Sequence, residues 1–179
     1  EISSDQLGQA LTQAESGNIL VLQNETNMQA EAAKMGRDLG LRVCYAAAPF
    51  DADAVQSVLP FLDLLFLNEV EAQQLQQATG KSPMELGVAD VIITLGAKGA
   101  RHFCAETGEI QDFPAHAVTA VDTTGAGDTF TGYVLSGLDR SLPMPQAMAL
   151  AARAAALMVT RPGTADVIPD LKEVQEASF

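Results

Sequence analysis

Short apolar runs alternate along the chain with longer stretches whose apolar residues recur at three- and four-residue spacing. Ile19-Leu20-Val21-Leu22, Leu41-Arg42-Val43-Cys44-Tyr45-Ala46, Leu62-Asp63-Leu64-Leu65-Phe66-Leu67 and Val91-Ile92-Ile93-Thr94-Leu95 read as buried strands. The segments between them read as helices. The first covers Ser3 to Ser16, opens on Ser3 and Gln6 as a capping box and stops at Gly17-Asn18. The next covers Met28–Leu39 with Gly40 as its stop, and a short one over Ala52–Leu59 ends near Pro60. A fourth runs from Asn68 through Ala78 to Thr79-Gly80, and Lys81–Gly87 reads as a loop or short helix. Arg101–Ala105 and Glu109–Phe113 alternate around Thr107-Gly108 as a hairpin. Ala117–Val121 reads as a strand-like approach to a helix carrying Phe130, Tyr133, Val134, Gly137 and Leu138. Two more helices are expected, from Pro143 or Pro145 to about Val159 and over Asp170–Ala177. Strand-helix alternation of this kind predicts an α/β layer fold with a mostly parallel sheet.

At 179 residues and 47% hydrophobic content, the chain is long enough for one domain with a substantial core, expected over 1–179. A net charge of −13 argues against a nucleic-acid partner but permits ATP, because local amides and metal ions outweigh a distant field. Cys44 and Cys104 lie in apolar stretches without metal-ligand spacing and read as buried, reduced thiols. The Ala-rich stretch Gln146–Val159 is too short for a membrane span and contains Arg153, so no membrane partner is expected. The absence of a signal-peptide pattern gives a cytoplasmic expectation.

The chemistry concentrates in Asp122-Thr123-Thr124-Gly125-Ala126-Gly127-Asp128-Thr129-Phe130. Glycines at a strand-to-helix junction let backbone N–H groups approach a ligand, and the helix N-terminus that follows favours an anion. Asp128 stands in the first turn of that helix. Amides that hold phosphoryl oxygens beside a carboxylate that accepts an alcohol's proton suit phosphoryl transfer. The run fails the dinucleotide fingerprint because Phe130 takes the third glycine position, and no Walker A run occurs anywhere.

This stretch resembles the second signature of the ribokinase-like (PfkB) carbohydrate kinases. The resemblance runs from about Val21 to Pro169 and covers the C-terminal part of the family's pattern; the N-terminal sugar-binding motifs and the small β lid have no counterpart. The first residue is Glu1, so the chain is expected to be part of something longer. The resemblance implies a three-layer α/β/α fold and ATP-dependent phosphorylation of a sugar's primary hydroxyl, with ribose favoured. It implies Asp128 as general base and the Gly125, Ala126 and Gly127 amides as the anion hole. Asn68 and Glu71 match the family's Asn-x-x-Glu motif, tied to magnesium and phosphate. Thr94, Gly96, Lys98 and Gly99 match its nucleotide-binding loop, and Glu25 inherits a sugar contact. Asp122, Thr124 and the backbone of Met158, Arg161 and Gly163 would surround a monovalent cation such as potassium. Ala152 stands where the family often carries a residue that hydrogen-bonds adenine.

Several readings stay open. Other acceptors are fructose, 2-keto-3-deoxygluconate or a nucleoside, and a nucleotide-binding fragment without turnover is a separate class. Asn68 also reads as a helix N-cap, Glu25 as a solvated loop acid or helix N-terminal carboxylate and Lys98 as a turn lysine. Missing sheet strands would expose an edge and apolar faces, so a homo-oligomer is also expected.

Overall fold

Apolar runs flanked by amphipathic segments fold as strand, crossover helix and parallel strand because each helix must bury its apolar face against the sheet. The computed structural model describes residues 1–179, which divide into two compact units. The first comprises Glu1–Ile93 with His102–Gln111 and the second Thr94–Arg101 with Asp112–Phe179.

Helix α1 (Ser4–Leu11) opens the first unit, and Ser3 and Gln6 form the expected capping box. It ends earlier than Ser16. Thr12 turns its hydroxyl back onto the Gln9 carbonyl at 2.7 Å, and Asn18 accepts from the Glu15 amide at 2.9 Å, so local side-chain bonds replace the helical ladder. Six strands follow in the spatial order β1 (Ile19–Gln23), β2 (Arg42–Ala46), β3 (Leu64–Asn68), β4 (Asp90–Thr94), β5 (Ala100–Cys104) and β6 (Glu109–Phe113). β1, β2 and β3 are parallel, with Val43 beside Leu20 and Tyr45 beside Leu65. β5 and β6 are the expected hairpin, turned at Gly108.

Helices α2 (Gln29–Asp38), α3 (Ala52–Val58) and α4 (Glu69–Thr79) cross between the parallel strands. α2 approaches closely at Gly36, where a Cβ would come within 2.6 Å of Leu20 Cδ2. Val43, Val55, Val58, Leu64, Leu65 and Ile92 are fully buried. At the N-terminal ends of the strands, Asp63 accepts from the Val43 amide at 2.8 Å. There too, Asp90 meets His102 Nε2 at 2.6 Å and Arg42 at 3.5 Å. Cys44 is buried and its thiol is pushed up to about 12, chiefly by desolvation, which makes it inert.

Tyr45 is fully buried, yet its hydroxyl has no hydrogen-bond partner. A buried unpaired hydroxyl is destabilising by about 1–3 kcal/mol. Tyr45→Phe is therefore expected to raise stability by about 1 kcal/mol in urea unfolding, the lost packing offsetting part of the gain. A stability loss in Tyr45→Phe would show that the hydroxyl is bonded.

The second unit contains end residues of β4, β5 and β6 and three α-helices. α5 (Ala126–Asp139) and α6 (Met144–Met158) pack so closely that a Cβ on Gly137 would lie 2.8 Å from Ala147 Cβ. α7 (Leu171–Glu176) is held by Arg153 of α6, whose guanidinium donates to the carbonyls of Val174 and Ala177 at 3.0 and 2.6 Å. Those carbonyls belong to the end of a helix, where a cation is favoured. The same guanidinium lies 5.3 Å above Phe179, which stacks on His116 at 4.4 Å. Tyr133 ties α5 to the segment before α7 by donating to the Pro169 carbonyl at 2.5 Å.

One expected element does not form. Ala117–Val121 is irregular, and Val121 is 62% exposed. The Val121 and Asp122 amides both donate to the carbonyl of Val159, at 2.7 and 3.2 Å. The run gave a strand pattern, but the amide that ends it, that of Val121, goes to a helix end and not to a strand.

Candidate active site

Asp122 organises the loop ahead of α5. One carboxylate oxygen accepts from the Thr124 amide at 2.9 Å and the other from the Gly163 amide at 3.4 Å. The loop and the turn after α6 thus meet on one side chain. These bonds, the Thr124 amide first, hold the Asp122 carboxyl below its ordinary value of 3.8. A depressed carboxylate contributes stability above the unfolded value and loses it as pH falls through the folded one. The Thr124 amide resonance is therefore expected to move on acidification from about pH 5 to about pH 2, and not to move in Asp122→Asn. A Thr124 resonance that stays put in the wild-type chain would contradict this linkage.

Gly125 follows with φ at 78°, the left-handed conformation that a side chain disfavours. Its carbonyl accepts from the Thr129 amide at 2.9 Å, and the Ala126 amide closes the turn onto Thr123 at 3.2 Å. No side chain caps α5. The Gly127 amide therefore keeps its capacity for an anion, whereas Ala126 must exchange its Thr123 bond for a ligand bond. Asp128 is exposed in the first turn of α5. It lines, with Thr129, Tyr133, Arg140 and Leu171, a cavity of about 450 Å³ beside α5.

Of the expected cation-site residues, Asp122, Thr124 and Gly163 are brought together by hydrogen bonds. The Met158 carbonyl accepts from the Arg161 amide at 3.0 Å, and Arg161 itself pairs with Glu173 at 2.7 Å. The Met158 side chain has a separate place that sequence reasoning missed. Its sulfur accepts from the Thr129 hydroxyl at 2.6 Å, and its methyl would lie 3.0 Å from a Cβ on Gly125. A methionine in an Ala-rich helix carries no sequence signal for such a contact.

Thr94 ends β4, and Gly96–Lys98 form a single 3-10 turn closed by the Leu95 amide on the Gly99 carbonyl at 2.7 Å. Gly96, Ala97 and Lys98 are exposed. Gly99 has φ at 103° and its backbone lies against Phe113, Pro114 and Ala115.

Three expected site residues belong to the first unit. Glu25 is exposed in the turn after β1. Beside it Asn24 bonds the Ala48 and Pro49 carbonyls, at 3.2 and 3.0 Å, and joins that turn to the loop after β2. Asn68 and Glu71 form a reciprocal capping box at the start of α4. Asn68 Oδ1 accepts from the Glu71 amide at 2.9 Å, and Glu71 Oε2 accepts from the Asn68 amide at 2.8 Å. The helix-cap role of this pair is therefore real. Burial pushes the Glu71 carboxyl up, and the Asn68 amide partly counteracts this.

The sequence profile described as "pfkB family carbohydrate kinase" matches residues 1–171. The chain is 31% identical to the ribokinase of Haemophilus influenzae, over 94% of this chain and 58% of that protein. Its structure is similar to that of a ribokinase from Thermotoga maritima, with TM-score 0.77 and 32% identity, over 88% of this chain and 55% of that one. It is likewise similar to Arabidopsis thaliana ribokinase complexed with ribose and ATP, with TM-score 0.82 and 28% identity, over 98% and 59%. The chain thus spans little more than half the length of these relatives. No helix is long and apolar enough to cross a membrane.

Proposed function

Because the chain belongs to the pfkB family of carbohydrate kinases, we propose that it forms the C-terminal portion of a domain that transfers the γ-phosphoryl group of ATP to the primary hydroxyl of a sugar, with ribose favoured. The observation that carries this reading is the uncapped start of α5, where the Gly125–Gly127 turn and the Asp128 carboxylate share one helical turn. The turn's amides offset the negative charge spread over the phosphoryl oxygens in the transition state, and Asp128 takes the proton of the attacking hydroxyl. Balance is kept: the acceptor O–H proton passes to Asp128 as the new O–P bond forms, and the old P–O bond breaks to release ADP.

The other residues take supporting roles in this proposal. Glu71 has one carboxylate oxygen outside its capping bond, and a hydrated magnesium ion is a hard cation that accepts such an oxygen through water. Asn68 holds Glu71 in place. Thr94, Gly96, Lys98 and Gly99 flank the nucleotide, and Glu25 contacts the sugar. Asp122 and Thr124, with the backbone of Met158, Arg161 and Gly163, would hold a potassium ion among oxygen ligands. Magnesium supplies charge neutralisation of the phosphates when bound.

Mixing the chain with ATP, magnesium and a panel of pentoses and hexoses tests this reading. Sugar-dependent release of ADP, greatest with ribose, is expected. A second reading is favoured by the chain's span of little more than half its relatives: nucleotide binding without turnover. ATP binding by calorimetry without ADP release with any acceptor would select it, and no binding would reject both.

A further inference from the structure

The fully packed side of the glycine turn is not made by the motif itself but by the last turn of α6. Met158 is 2% exposed and Thr129 is 3% exposed, so their contact is sealed from solvent. The Met158 sulfur accepts the Thr129 hydroxyl at 2.6 Å, while the methyl lies against Gly125. One residue further on, the Val159 carbonyl accepts the Val121 and Asp122 amides. Both shoulders of the loop therefore rest on Met158-Val159.

From this we infer that Met158 is a positioning residue for the phosphoryl-binding turn. A threonine inside a helix ordinarily turns its hydroxyl onto the carbonyl three or four residues back. For Thr129 that carbonyl is Gly125, in the turn itself, where it already accepts the Thr129 amide. The thioether supplies a different, weak acceptor and leaves the Gly125 carbonyl to the backbone bond alone. The direction of the Gly125–Gly127 amides is thus set from below, by a sulfur with the polarizability and flexibility to fit an irregular space. The identity of the anion rests on the function proposed above; the positioning does not.

Met158→Leu keeps the volume and removes the acceptor, and Thr129→Val removes the donor. Two readouts on the whole chain separate the claims. The first is the nitrogen-15 amide spectrum of Gly125–Asp128 without ligand. The second is the affinity for ADP with magnesium. Met158→Leu and Thr129→Val are each expected to move those amides and to weaken ADP about fivefold, the equivalent of one hydrogen bond. The double variant should add nothing further, because both changes break one contact. Thr129→Ser, which keeps the hydroxyl, should restore the wild-type spectrum, and it carries the test if Met158→Leu fails to fold. Unmoved amides in both single variants, or additive losses in the double variant, would overturn the inference. If the amides move as expected but the wild-type chain binds no ADP, the positioning stands and the proposed function falls.

Discussion

Asp128→Asn is expected to lower sugar-dependent ADP release on the order of 10²- to 10⁴-fold, the contribution of a positioned general base, while nucleotide binding survives. Asparagine preserves the size and hydrogen-bonding reach of the side chain at the start of α5 but cannot accept the acceptor's proton. Asp128 is exposed and asparagine is nearly isosteric with it, so the fold should be retained. In the proposed site the phosphates meet the turn through main-chain amides, which the change leaves in place. A steady-state assay beside an ATP titration checks both halves. Near-normal turnover would remove Asp128 from the role of base, and loss of ATP binding together with turnover would make it a phosphate-site residue instead.

Gly99→Ala is expected to destabilise the second unit by about 4 kcal/mol, the sum of backbone strain and overpacking. Its φ of 103° is a conformation that side chains rarely adopt, and an added Cβ would lie 2.0 Å from the Phe113 carbonyl oxygen and 2.6 Å from the Ala115 nitrogen. Both neighbours are backbone, so no rotamer change relieves the contact. Gly80→Ala is the matched control. It has φ at 70° with nothing within 4 Å, so it carries strain without collision and should cost about 1 kcal/mol. Thermal melts of the two variants measure the difference. Equal losses would mean that the Phe113–Ala115 backbone gives way, and that the close approach is not what demands glycine.

The parallel strands were legible because continuous apolar runs bounded by glycine or capping residues admit few other structures. The caps at Ser3 and Asn68 were equally open to reading, since each depends on residues three apart. Ala117–Val121 misled because an apolar, β-branched run records side-chain preference and is silent on which carbonyls the amides reach. The glycine junction ahead of α5 was readable from Gly125 and Gly127, and the place of Asp128 in the first turn of α5 from the spacing. The seat beneath them was not. Met158 lies far along the chain from Gly125, and periodicity marks which face of a helix is buried but not which residue it meets. The unpaired Tyr45 hydroxyl is equally invisible in a sequence where tyrosine simply counts as apolar.

The proposed transfer requires the first turn of α5 to receive the phosphoryl group while Asp128 faces the acceptor. A crystal structure with ADP, magnesium, ribose and aluminium fluoride, a mimic of the phosphoryl group in flight, tests that arrangement directly. The fluoride is expected within hydrogen-bond distance of the Gly125–Gly127 amides, with the Ala126 amide released from Thr123 and an Asp128 oxygen on the ribose hydroxyl in line. Fluoride held elsewhere, or Asp128 directed away from the ribose hydroxyl, would contradict it.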